Sequence, residues 1–166
     1  MKIIPSEKIE LITELSKQEV RTILNKNIRP KRGIAFSFDK PKETKLFEGK
    51  FEQDRIEIQR IIKGRNSFLP QIKGSIQSDL NGTKLIADLK INAFVIVFMI
   101  FWFGFVFLGF LATIVGVSVQ EANPIVIIAP LIMMVFGIGL VRFGFHSEKE
   151  KSINDLKRIL KARIRK

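Results

Sequence analysis

The chain has 166 residues, no cysteine and a formal net charge of +12, with 46% hydrophobic and 27% charged residues. Without cysteine, disulfides, thiolate chemistry and Cys-ligated zinc are excluded. The two residue classes are segregated. Residues 1–92 carry 19 Lys/Arg against 12 Asp/Glu, residues 93–146 carry only Arg142 and Glu121, and residues 147–166 carry 8 cations against 3 acids. A polar domain, an apolar block and a basic tail is a membrane-protein layout rather than a single globular core.

The opening stretch MKIIPSEKIELITELSK has no long apolar h-region, so export of the first domain by a cleaved signal is not expected. Ser6 and Ser16 both read as helix N-caps, and Glu19 three residues after Ser16 completes a capping box. Val20, Ile23 and Leu24 follow at helical spacing before Pro30. One or two short helices are therefore expected between Ser6 and Asn27.

Beyond Pro30 the apolar period changes to two. Ile34, Phe36 and Phe38 form the first alternating run, DKPKETK (Asp39 to Lys45) is a turn, and Phe47, Gly49 and Phe51 form the second run. Gln53-Asp54 is a second turn, followed by Ile56 and Ile58, then Ile72, Gly74 and Ile76, then Leu85, Ala87, Leu89 and Ile91. Asn81-Gly82 is a strong hairpin signal. A two-residue turn there pairs Leu80 with Thr83, Ile76 with Ala87, Ile72 with Ile91 and Lys73 with Lys90. The expected domain, residues 1–92, is α+β: an N-terminal helix over a five-stranded antiparallel meander.

Strands in a meander alternate in direction, and the last one leads into the apolar block. The basic loop KGRNSFLPQIKG, Lys63 to Gly74, is therefore expected at the membrane-proximal end. Lys63, Arg65, Lys73 and Lys90 are the candidate contacts for anionic headgroups or a partner, with Phe68 and Leu69 at the acyl boundary. Each cation near such a surface is worth on the order of 1 kcal/mol. The competing reading is structural: Phe68 and Leu69 plug the open end of the sheet.

No charge appears from Ile91 to Gln120 or from Ala122 to Val141, and about 20 apolar residues span a bilayer core. Residues 93–146 are expected to form a transmembrane hairpin, with helices at about 93–119 and 124–145. Pro124 suits a first helical turn, and Pro130 predicts a kink because it cannot donate to the Val126 carbonyl. Ala112 and Gly116, four apart, allow a close helix approach. The positive-inside rule sets Lys84, Lys90, Arg142, Lys149 and Lys151 against Glu121 alone and puts both termini in the cytoplasm of a cell (inner) membrane. No acid or base lies mid-span, as transport or proton relay usually requires, so the hairpin reads as an anchor.

Residues 147–166 read as a basic amphipathic helix with Ile153, Leu156, Leu160 and Ile164 on its apolar stripe, a membrane-surface or partner helix. Packing of this helix against its own domain is the alternative. Positive-inside bias accounts for the cations, and no nucleic-acid motif is present. The lone His146 with scattered carboxylates does not make a metal site. No phosphate loop or nucleophile elbow is present, so neither an enzyme nor a cofactor is expected.

With this layout and the stretch NSFLPQIKG (Asn66 to Gly74) before a strand, the chain resembles small uncharacterised bacterial membrane proteins that join a cytoplasmic β-rich domain to a helical hairpin. The resemblance implies no particular activity. The expected function is a membrane-anchored binding or adaptor module, presenting its cytoplasmic domain to a protein partner or to anionic lipid. Two alternatives stay open: a homo-oligomeric membrane component (a small channel or an immunity-type protein) and an enzyme acting on membrane substrates.

Overall fold

The computed structural model describes residues 5–31, 45–119 and 122–165. It is an α+β structure built on a seven-stranded mixed sheet with strand order β2-β3-β4-β5-β6-β1-β7. In chain order the elements are β1 (Ser6–Thr13), α1 (Lys17–Asn27), β2 (Ile28–Arg29), β3 (Phe47–Glu52), β4 (Arg55–Arg60), β5 (Gln71–Asp79) and β6 (Gly82–Lys90). There follow α2 (Ala93–Ser118), a 3-10 turn at Pro124–Ile127, α3 (Ile128–Leu160) and β7 (Arg163–Ile164). The expected run at Ile34, Phe36 and Phe38, and the Asp39–Lys45 turn up to residue 44, lie outside the described residues.

The first correction concerns Ser6. It opens a strand, not a helix, and β1 pairs along its whole length with β6, from Ser6 opposite Lys90 to Thr13 opposite Thr83. Ile9, Leu11 and Thr13 are buried while Lys8, Glu10 and Ile12 are not. The β-branched residues and the period of two outweigh the capping signal. At Ser16 the capping box forms as expected. The Ser16 Oγ accepts from the Glu19 N–H at 3.3 Å, and the Glu19 carboxylate accepts from the Ser16 N–H at 2.8 Å. The sheet is not an all-antiparallel five-stranded meander, because β2 adds in parallel to β3 and β1 and β7 complete the other edge.

The hairpin register is the second correction. Strands β5 and β6 pair Asp79 with Gly82, Ile76 with Leu85, Ile72 with Leu89 and Lys73 with Asp88. This is two residues away from the expected pairing, so both faces keep their composition. The expected like-charge pair of Lys73 and Lys90 is replaced by Lys73 opposite Asp88. Leu80 is left at the tip, 99% exposed. Gly82 has φ +139°, and a side chain there would collide with the Thr13 carbonyl oxygen, so only glycine fits.

One face of the sheet is apolar, with Ile9, Leu11, Ile56, Ile58, Ile72, Ile76, Leu85 and Leu89 buried. Val20 and Leu24 of α1 and Ile153, Leu156 and Leu160 of α3 cover it. The third correction follows. The tail is no separate surface helix but the continuation of α3, and Ile153, Leu156 and Leu160 are core residues of the domain. Ile164 is exposed on β7. Burying such side chains stabilises by about 1.5–3 kcal/mol each. That gain competes directly with any gain from lying on a surface.

The helices α2 and Pro124–Leu160 are long and apolar enough to cross a membrane. Among the described residues of the hairpin only Val106, Pro130, Gly137 and, at its end, Phe145 are buried. Pro130 is the third residue of α3, where its missing N–H falls among those without an intrahelical partner. The feature expected as a mid-helix kink is thus the junction of the 3-10 turn with α3. Gly116 lies against the turn rather than the partner helix: its carbonyl accepts from the Ala122 N–H at 3.1 Å.

Candidate functional site

Strand β6 ends at Lys90 and reaches α2 through only Ile91 and Asn92. Lys90 lies opposite Ser6 and Gln71, Gln71 opposite Gln59, and Arg60 opposite Phe47. These residues mark the hairpin end of the sheet, and the loop 61–70 between β4 and β5 turns there.

The loop is tied to α3. The Asn66 side-chain amide donates to the Gly144 carbonyl at 2.9 Å, and its Oδ1 accepts from the Phe68 N–H at 2.9 Å. Phe68 is half-buried over Gly144: a Cβ added there would lie 2.9 Å from Phe68 Cδ2. Phe68 also lines two apolar crevices at the foot of the hairpin, of about 360 and 430 Å³. Ile96, Ile100, Phe103 and Val141 line the first, and Phe98, Trp102, Phe136 and Gly137 the second.

The neighbouring loop residues line a different space. Gly64, Arg65, Asn66, Ser67 and Leu69 border an open groove of about 370 Å³, lined also by Arg29, Glu48, Gln59, Arg60, Ile61 and Ile62. Arg29 donates from Nη2 to Glu48 at 3.1 Å, while its buried Nε has no hydrogen-bond partner among the described residues. Gln59 donates to the other oxygen of Glu48 at 2.7 Å. Arg60 stands on the inner parity of β4 with Ile56 and Ile58. It donates from Nε to Asp155 at 2.7 Å and from Nη1 to Glu148 at 3.1 Å. The hydrogen bond to Asp155, with both acids nearby, raises the Arg60 pKa.

A second set of ion pairs lies on the β1 side of α3. Lys149 donates to Glu7 at 2.6 Å and lies 3.0 Å from Glu150. Burial presses the Lys149 ammonium down, but the hydrogen bonds to Glu7 and Glu150 outweigh it and the pKa is raised. Ser152, fully buried, donates to the Glu148 carbonyl at 2.7 Å. Polar bonds to β4 and β1 therefore hold α3 from both sides just beyond the hairpin.

Of the residues singled out from the sequence, Lys63 and Arg65 are exposed on the loop without an ion pair among the described residues. Phe68 packs on Gly144, and Leu69 borders the open groove. Lys73 is on the outer sheet face, bound to Glu57 at 2.6 Å, which lowers the Glu57 pKa. Lys90 is exposed, 3.8 Å from Asp88. The structure thus brings Arg65 and Leu69 together at one groove, with Phe68 beside them, and sets Lys73 apart. Sequence reasoning missed Arg29, Arg60, Asn66 and Ser67. For Arg60 a signal existed, since an arginine on the inner parity of a strand needs an acidic partner.

Among the described residues no group of three or more His, Asp or Glu is placed to hold a metal ion. No family model, curated protein or solved structure matches the chain.

Proposed function

We propose that the chain is a membrane-anchored binding module whose sheet domain is held at the cytoplasmic face with its loop end toward the headgroups. One observation carries the reading. Helix α3 runs without a break from an apolar, uncovered half into the core of the sheet domain, where Leu156 and Leu160 are buried. The two-residue link from β6 to α2 fixes the other helix. A domain joined this stiffly cannot turn freely, so the hairpin determines which end of the sheet meets the surface. The exposed Lys63, Arg65, Lys90 and Arg142 at that end suit an anionic surface. The partner is anionic lipid in this reading, and an acidic protein surface is the competing occupant.

The chain is free of cysteine, so single-cysteine variants report position cleanly. Leu80→Cys marks the far tip of the sheet and Ile125→Cys the hairpin turn. A membrane-impermeant maleimide added to sealed vesicles of known orientation is expected to label the two from opposite sides. Labelling of both from one side overturns the anchored reading. A second reading, a homo-oligomeric component, draws on how little of the hairpin is self-covered. Cross-linking in membranes that yields only a fixed ladder of self-linked species would favour it.

A further inference from the structure

We infer that the first of the two crevices at the foot of the hairpin holds one acyl chain of a membrane phospholipid. The inference rests on the anchored-module reading and names a ligand within it. Only apolar residues line this crevice. Ile91, Val95, Met99 and Phe103 mark its length on the α2 side, and Ile138 and Val141 border it from α3. The first four recur every fourth position, so the crevice runs about 18 Å along the helix at 1.5 Å per residue. Its volume of about 360 Å³ over that length leaves a cross-section of about 20 Å². With apolar groups in contact at about 4–4.5 Å, that is the width of a single hydrocarbon chain. A helix is about 10 Å across, so a spanning helix of a second copy does not enter the slot.

Position adds the second argument. The cytoplasmic end of the slot is bounded by Phe68 and by Ile91, which is buried in the sheet core. Beside that end lies a polar groove of about 300 Å³, bordered by Ser6, Arg142, His146 and Lys149. Two neighbour relations put the spaces end to end. On α3, Arg142 follows Val141 and lies one turn below Ile138. On the sheet, Ser6 pairs with Lys90, which precedes Ile91. The apolar slot thus lies inside the uncharged span and the groove at its edge, the order in which a phospholipid presents its chain and its headgroup. Affinity comes from burying the chain. Lys149 is already bonded to Glu7 at 2.6 Å, so the groove gives the headgroup an exit rather than a selective site.

Native mass spectrometry of the full chain in mild detergent, titrated with dioleoyl phosphatidylcholine, tests the inference. Saturable binding of one lipid per chain is expected. Glycerophosphocholine, the same headgroup without chains, is expected not to bind. Ile138→Trp fills the slot from α3, and Ile100→Trp fills it from α2. Displacing about two methylenes of the chain corresponds to about tenfold in affinity, and each variant is expected to show that loss. Val135→Trp, the same kind of change on an exposed part of α3 outside the slot, is expected to leave binding unchanged.

Weakening by both slot-filling variants with Val135→Trp unaffected supports the site. Two variants on opposite walls keep the test decisive if circular dichroism shows that one of them fails to fold. Equal binding by all three variants overturns the inference, since it would mean lipid spread over the whole hairpin. Dimers without bound lipid overturn it as well, as does binding of glycerophosphocholine as tight as that of the intact lipid. Cysteine labelling of the same protein separates the two readings. Opposite-side labelling without a bound lipid removes the site and leaves the anchor. Same-side labelling removes the anchor itself.

Discussion

The two halves of α3 obey opposite rules. From Ile128 to Phe143 the large apolar side chains point outward, with Val135 72% and Phe143 78% exposed. From Phe145 to Leu160 the side toward the sheet covers even charged residues, with Glu148 at 8% and Lys149 at 7%. No break in the helix separates the halves. A helix uncovered on its apolar side needs an apolar surrounding, and one that buries ions needs partners for each. The first half takes its environment from outside the chain, and the second takes everything from the sheet. The transition falls within about one turn, at Gly144 to Glu148, where the loop 61–70 lies against the helix.

The comparison breaks most visibly at Leu156. Leu156→Ala removes a fully buried side chain and is expected to destabilise the domain by about 2–5 kcal/mol. Val135→Ala, in the uncovered half, is expected to change stability by less than about 0.5 kcal/mol. Denaturant unfolding of both variants in mild detergent, followed by circular dichroism, measures the difference. Similar costs for the two would mean that the halves are not distinct.

Arg60→Ala comes next. It removes the cation shared by Glu148 and Asp155, which keep only the partly exposed Lys151 and Arg158 as partners. A loss of about 2 kcal/mol is expected, the scale of hydrogen bonds to charged groups. Arg60→Lys should restore only part of it, because a lysine cannot bond two carboxylates with a fork. Full rescue by lysine would show that charge alone, not the geometry of the clamp, joins β4 to α3.

The junction itself is probed by Gly144→Ala. The added methyl would lie 2.9 Å from Phe68 Cδ2 and 3.2 Å from Phe68 Cβ, closer than packed carbons allow. Overpacking of this kind costs about 1–3 kcal/mol. In a double-mutant cycle Phe68→Ala is expected to relieve that cost, since the same two residues account for it. Strictly additive effects would place Phe68 away from Gly144 and undo the attachment of the loop.

Much of this division is legible in the sequence, and the parts that are not have physical reasons. Strands β3 to β6 follow from the period of two, and the hairpin from two uncharged runs. In β1, Ile9 and Leu11 alternate with Lys8 and Glu10, but Ser6 is equally plausible as a helix cap. Only the pairing of β1 with β6 decides between them. The Asn81-Gly82 signal marks the right turn yet not its register, because Gly82 is needed beside the Thr13 carbonyl rather than inside a two-residue loop. The stripe of Ile153, Leu156 and Leu160 is plain, but periodicity says nothing of what a stripe faces. At the candidate site Arg65 and Leu69 are legible from the loop. Arg29 is not, since nothing local indicates that Ile28 will pair with Phe47.

The smallest expected effect is at the far end of the sheet, where charge is only half-buried. Asp54, in the turn between β3 and β4, accepts from Arg21 at 2.7 and 2.9 Å and from Lys17 at 2.7 Å. These bonds, Arg21 foremost, hold its pKa down at about 2. A carboxylate lowered in the folded state contributes stability that is fully present above its unfolded pKa, near 3.8, and lost as pH falls through about 2. Asp54→Asn should therefore lower the melting temperature at pH 6, with the difference shrinking below pH 3.8 and vanishing only below about pH 2. The difference should be small, because exposed pairs are screened by solvent and salt, and smaller still in high salt. At α3 the buried ions Glu148 and Lys149 should show the reverse, with little sensitivity to salt. Equal salt dependence of Asp54→Asn and Arg60→Ala would mean that the clamp on α3 is as wet as the turn, and the contrast between covered and exposed charge would not hold.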